Sequence, residues 1–202
     1  MNPQGTAPVD YLNQIAPQAP QKKLFSLNKY TLILIGLVVI VAVILISTIS
    51  RATIAAQKEP WQRITVRLSA TSALVDKATA SIKSSQLRSL NSDLKLYLTN
   101  TQRDFSTPLA QLKITTESIP KKITKEETAT GIEDRLEDGR LNARYDSTYA
   151  REMAYQTGTI LAELQALYRT NVGPKTKEIV KTAYDNLLPT YESLSEFSTT
   201  NE

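Results

Sequence analysis

The side chains of this chain that could do chemistry are carboxylates and phenols. Glu126, Glu127, Glu133, Asp134, Glu137 and Asp138 crowd one short stretch. Carboxylates at that density can hold a divalent cation, but a calcium loop needs acids at alternating positions, a glycine and then a distant Glu. That order is missing. Arg135, Arg140 and Arg144 interleave with the acids, so the stretch reads as a solvated face of mixed charge. Glu126 and Glu127 also suit the first turn of a helix, whose positive dipole end favours anions. Glu133 and Glu137 share a helix face, whereas a glycosidase sets its two acids across a sugar cleft. Ser92 and Lys95 have the spacing of a Ser–Lys dyad, which arises by chance in a chain this rich in serine.

What is missing narrows the chemistry further. The chain has no histidine and no cysteine. Ser-His-Asp and Cys-His catalysis are therefore excluded, as are His-ligated haem and most zinc sites. A di-iron bundle would need inward Glu residues with Glu-x-x-His pairs; Glu152 and Glu163 are present without any His. The formal net charge is +4, with acids and bases mixed along the sequence. Nucleic-acid binders carry a basic stripe, and none is visible, so no nucleic-acid partner is expected. No catalytic residue, cofactor-binding residue or metal ligand is assigned, and the chain is not expected to be an enzyme.

The phenols are uneven. Tyr145, Tyr149, Tyr155, Tyr168, Tyr184 and Tyr191 all lie in the second half. Tyr joins an apolar face to a polar tip, so these six could line a groove for a peptide or glycan. The simpler alternative is that they edge a helical core with their hydroxyls at the rim.

The elements that must position these residues begin with a membrane segment. Residues 31–49 contain no Asp, Glu, Lys or Arg. As a helix they would extend about 28 Å, close to the ~30 Å hydrocarbon core of a bilayer. The run is too long for the apolar part of a cleaved signal peptide and starts too far into the chain. A type IV pilin has a Glu early in its apolar run, and this run has none. Residues 31–49 are therefore expected to be a single transmembrane helix, with the lipid bilayer as a partner. Residues 1–30 hold Pro3, Pro8, Pro17 and Pro20 among Gln and Asn, a composition that buries no core and is expected to be disordered. Lys22, Lys23 and Lys29 on one flank balance Arg51, Lys58 and Arg63 on the other. The short tail and its amine favour an N-terminus in the cytoplasm and a C-terminal domain outside it.

Residues 51–202 read as an all-α domain. Glycine is scarce at six residues, and apolar residues recur at 3–4 spacing rather than alternating. A first helix is expected to open near Pro60, with the stripe Ile64, Leu68, Thr71, Val75, Ala78 and Ile82; alternatively residues 51–58 extend the membrane helix directly into it, since nothing before Pro60 breaks a helix. Ser84 and Ser85 offer a cap for a second, with Leu87, Leu90, Leu94, Tyr97, Thr101, Phe105, Leu109 and Leu112 on one face, a kink at Pro108 and an end before Pro120. Thr124 and Glu127 fit a capping box. A third region covers 125–171, with a break near Gly139 and the stripe Leu141, Tyr145, Thr148, Met153, Gln156, Ile160, Leu164 and Leu167. Asn171-Val172-Gly173-Pro174 is a stop and restart. The fourth helix carries Ile179, Val180, Ala183, Leu187, Leu194 and Phe197, with a kink at Pro189. Short connections would make neighbours antiparallel.

Residues 70–197 resemble a bacterial family of small exported proteins of unknown function with a ferritin-like four-helix bundle. The resemblance rests on Tyr145-Asp146-Ser147-Thr148-Tyr149-Ala150-Arg151-Glu152-Met153, on Ile160–Leu167 and on Leu187-Leu188-Pro189-Thr190-Tyr191. In the first half it rests on Leu87-Arg88-Ser89-Leu90, Arg103-Asp104 and Leu109–Leu112. The family places a His on each of two helices. The matching stretches here, Thr101-Gln102-Arg103 and Ala154-Tyr155-Gln156-Thr157, have none, so a metal function does not carry over. The implied fold is a single transmembrane helix followed by an antiparallel four-helix, ferritin-like bundle. The expected role is a membrane-anchored interaction or structural module of the cell envelope, with an envelope protein or glycan as partner. The alternatives are a ligand-sensing membrane module and an envelope enzyme.

Overall fold

The computed structural model describes residues 29–128, 130–170 and 172–200. Most of the expected N-terminal tail lies outside them. Among the described residues the chain is all-helical, without strands. The elements are α1 (Lys29–Ala78), α2 (Ser85–Gln111), a 3₁₀ turn (Thr116–Ser118), α3 (Lys121–Glu127), α4 (Ile132–Leu141), α5 (Tyr145–Arg169) and α6 (Pro174–Thr200).

The chain divides into two compact units, Met1–Ile49 and Ser50–Glu202. In the first unit the backbone of α1 is helical, and Leu37, Val38, Ile40 and Val41 are exposed. Among the described residues no helix is long and apolar enough to cross a membrane. Those four side chains are the only ones described within 31–49, and the rest of the apolar run lies outside them.

The second unit is a bundle. Pro60 does not open a helix; it lies inside α1, which includes residues 51–58, the alternative reading of this stretch. The missing proline N–H costs one backbone bond, and the burial that follows compensates. Trp61, Ile64, Leu68, Thr71, Val75 and Ala78 are all buried, and the Trp61 ring meets Phe105 edge-on at 5.2 Å. Ser84 caps α2 as expected, accepting from the Leu87 N–H. The helix stops at Gln111, well before Pro120. Lys113 there adopts a left-handed φ of 52°. The Lys113 N–H reaches Ala110 O at 3.0 Å and the Ile114 N–H reaches Leu109 O at 2.9 Å, the paired bonds of a Schellman end. Thr124 and Glu127 do not form a capping box. Thr124 lies inside α3, whose N-cap is Pro120, and the Glu127 carboxylate meets arginines on α1.

The expected break near Gly139 falls at Ala143, with φ 56°. The Arg144 N–H bonds Gly139 O at 2.7 Å and the Ala143 N–H bonds Arg140 O at 3.3 Å, a second Schellman end. Gly139 itself is helical, and a Cβ there would meet Thr148 Oγ1 at 2.7 Å. The glycine admits α5 against α4 rather than ending the helix. Leu141 leaves the expected stripe; it ends α4 and is 71% exposed. The stop at 171–174 holds: α5 ends at Arg169 and α6 opens on Pro174.

Contacts fix the helix directions. Trp61 meets Phe105, and Asn91 donates to Thr79 at 3.1 Å, so α1 from Ser50 onward and α2 are antiparallel. Arg67 bonds Glu163 at 2.9 Å, while Asp146 meets the Lys83 N–H at 3.1 Å, so α1 and α5 are also antiparallel. Lys177 lies over the Tyr168 ring at 5.5 Å and Gly158 faces Tyr191, so α5 and α6 are antiparallel. It follows that α2 and α5 run the same way. The connection between them is long and carries α3 and α4, which corrects the expectation of short links and antiparallel neighbours throughout. A parallel pair forces the chain to travel back along the bundle before α5 can begin.

Candidate functional site

The structure separates the six tyrosines. Tyr149 is fully buried, and its hydroxyl donates to Asn91 Oδ1. Burial pushes its phenol well above the usual tyrosine range. Tyr145 stacks on it with ring centroids 6.2 Å apart and planes 5° from parallel, and burial also raises the Tyr145 phenol. Tyr191 is half-buried against Gly158, where a Cβ would come within 3.0 Å of its ring. Tyr155 is exposed on α5.

Tyr168 and Tyr184 come together. With Leu164, Val180, Lys181 and Asp185 they line a cleft of about 280 Å³ between α5 and α6. The floor is aliphatic, and the rim carries the Lys181–Asp185 ion pair. Asp185 raises the Lys181 ammonium above its ordinary value. Pockets for drug-sized ligands run to roughly 300–1,000 Å³, so this cleft suits one side chain or one sugar ring. Aromatic walls, an apolar floor and a charged rim are what such a group needs.

Inside the bundle lies a charged network that sequence reasoning missed. Arg67 sits between α5 and α3. Its Nε donates to Glu163 Oε1 at 2.9 Å, its Nη1 to Gln156 Oε1 at 3.3 Å, and its Nη2 to Glu127. Arg63, one turn earlier, reaches Glu127, Glu59 at 2.9 Å and Glu126 at 3.0 Å. The Glu127 side chain is only 5% exposed. Glu127, foremost, holds the Arg63 guanidinium far above its ordinary value. Glu163 differs in cause: burial raises its carboxyl above the usual range, and Arg67 offsets this in part. Its Oε2 is buried without a partner, as are the hydroxyls of Thr71 and Thr157. The sequence signal was the i,i+4 pair Arg63 and Arg67 beside the apolar stripe of α1. Nothing local marked Glu127 as their partner.

The two stretches at 101–103 and 154–157, where the expected resemblance would place histidines, are engaged in other bonds. Gln102 donates to Leu68 O at 3.0 Å, and Gln156 accepts from Arg67. Among the described residues no group of three or more acidic side chains could hold a metal ion. Around α4, Lys77 pairs with Glu133, and the arginines of α4 are engaged with acids. Arg135 grips Glu152 through two bonds of 2.8 Å, and Arg140 reaches Glu137 at 2.7 Å. Ser92 bonds Arg88 O and Lys95 pairs with Asp76, so neither faces the other as a dyad. Compared with family models, curated proteins and solved structures, the chain matches none.

Proposed function

We propose that this chain is a single-pass membrane protein. Residues 31–49 cross the bilayer, the preceding tail lies in the cytoplasm, and a ferritin-like bundle stands on the other side as a non-enzymatic interaction or structural module of the cell envelope. The observation that carries the reading is the charge-free apolar run at 31–49, whose length as a helix suits a bilayer core. The exposed Leu37, Val38, Ile40 and Val41 agree with it, because apolar side chains on such a helix find their cover in lipid.

The ferritin-like part of the reading rests on the direction of α2 and α5. Bundles of that type have one long crossover, and here it is the α3–α4 connection. Where relatives of the proposed kind would carry histidines, Gln156 sits in the Arg67–Glu127–Glu163 network, which makes an ion-paired interior the substitute for a metal. The Tyr168–Tyr184 cleft is the surface on which an envelope protein or glycan would dock. Tethering confines that surface to two dimensions and raises its effective concentration for neighbours.

Protease protection tests the arrangement, using intact cells and a tag at each end. The C-terminal tag should be cut from outside and the N-terminal tag spared. A protected C-terminal tag would place the bundle in the cytoplasm and overturn the envelope assignment.

A further inference from the structure

A second cavity, of about 680 Å³, opens where α1 gives way to α2 and α4 to α5. Its lining carries the basic side chains Lys83, Arg140 and Arg144, the hydroxyls of Ser84 and Ser147, and one carboxylate, Asp146. The volume lies in the range of small-molecule sites. All of it belongs to the bundle unit.

The charges in this cavity are not equally free. Asp146 is bound into the wall. It accepts from the Lys83 N–H at 3.1 Å and from the Ser84 N–H at 2.6 Å, the two backbone donors just ahead of α2. Arg140 is engaged by Glu137. Lys83 and Arg144 differ. Both are exposed, and among the described residues neither side chain meets a carboxylate within ion-pair distance. Most other arginines of the bundle behave differently: Arg63, Arg67, Arg103, Arg135 and Arg140 each hold an acid. Two cations without counter-ions thus face one hollow beside two serines, and the one acid in that hollow has its oxygens turned to backbone N–H groups.

We propose that this cavity binds a phosphate-bearing ligand, with Lys83 and Arg144 neutralising the phosphoryl oxygens. A guanidinium donates in a planar fork that fits two oxygens of a phosphate, and an ammonium adds a compact point charge. Serine hydroxyls supply further donors. The half-buried Tyr145 and the buried Phe197 give the cavity an apolar wall, against which the non-phosphate part of a ligand would lie. The site is independent of the membrane assignment and of the Tyr168–Tyr184 cleft.

The test is a calorimetric titration of the full chain in neutral detergent with inorganic phosphate and with pyrophosphate, at fixed ionic strength set by chloride. The inference expects saturable binding, tighter for pyrophosphate. Affinity should fall about tenfold or more in Lys83→Ala/Arg144→Ala, the loss of roughly one charge-assisted contact or more. It should stay within about twofold in Arg103→Ala, an exposed cation elsewhere on α2. Arg144→Gln alone, whose side chain leaves the backbone turn untouched, should weaken binding by an intermediate factor and separates loss of charge from loss of fold. Absence of saturation up to millimolar pyrophosphate would overturn the site. So would equal affinity in the double variant, or an equal loss in Arg103→Ala, which would mean general attraction to a basic surface.

Discussion

Two polar networks cross the interior of the bundle, and they are built on opposite terms. At one end Tyr149 donates to Asn91, and Asn91 donates to Thr79. These groups are neutral and each is partnered. Toward the other end Arg63 and Arg67 hold Glu127 and Glu163. These groups are charged, and one oxygen of Glu163 is left over. The neutral chain links α5 and α2 to Thr79, just past the end of α1, at a modest desolvation cost. The charged network adds α3, a short helix with little core of its own. Ions are costly to bury and are tolerated where they are paired, so the pairing of Glu127 with both arginines adds to the buried Ile119, Ile123, Ile132 and Leu136 in holding the crossover between α2 and α5 to the bundle.

Removing Glu127 should therefore have the largest effect. Glu127→Ala removes the one acid that both guanidiniums share, while Arg63 keeps Glu59 and Glu126 and Arg67 keeps Glu163; with two charge-assisted bonds gone, chemical denaturation should show a loss of about 3 kcal/mol. Replacing Arg67, Glu127 and Glu163 together by Met, Leu and Leu should cost far less, since apolar groups of similar volume carry no desolvation penalty. If the triple variant is as unstable as Glu127→Ala, the ions are not the reason.

The neutral network should respond less. Tyr149→Phe keeps the ring and strands the Asn91 oxygen, so a loss of about 1–3 kcal/mol is expected in the same measurement. A loss matching that of Glu127→Ala would remove the distinction between the two ends.

Acidification sharpens the contrast. The folded-state carboxyl of Glu163 titrates above its unfolded value because of burial, so the folded state takes up its proton first. Its contribution to stability therefore rises as pH falls from neutral toward the ordinary carboxylate range. In Glu163→Gln that rise is absent, so wild type should gain on the variant as pH is lowered through this window. A wild type that loses ground there would reverse the assigned sign. Tyr149→Phe should show no such dependence below pH 8, because its phenol stays protonated throughout.

The smallest effect belongs to the turn that follows α4. Ala143 sits at φ 56°, a conformation costing a non-glycine residue about 1–2 kcal/mol. Ala143→Gly removes that cost but loosens the unfolded chain. A net gain of about 0.5–1 kcal/mol is expected, read as a raised Tm. Gly139→Ala should do the opposite, since its Cβ would press on Thr148.

These positions also show where the sequence was readable. The buried faces of α1 and α5 follow from 3–4 spacing, and the Ser84 cap and the 171–174 stop follow from residue type; each depends on neighbours in the chain. Gly139 looked like a helix breaker because glycine is flexible, yet its role is to let Thr148 approach, which depends on a residue of another helix. Lys113 and Ala143 take the left-handed turns without glycine, so composition gave no sign of them. Glu127 looked like half of a capping box for a helix opening near 125, but its partners lie on α1, and no local pattern encodes that distance. Of the tyrosines, Tyr168 and Tyr184 share a cleft. Their convergence depends on α5 and α6 packing antiparallel across the turn at Gly173.

The central claim is that a self-sufficient helical bundle is tethered to a bilayer by residues 31–49. Alkaline carbonate extraction of membranes tests it most directly, comparing the full chain with a variant lacking 31–49. The full chain should stay in the pellet, while the deletion variant should appear in the supernatant with helical circular dichroism and a cooperative unfolding transition. A full chain released by carbonate, or a deletion variant that remains in the pellet, would contradict the tether.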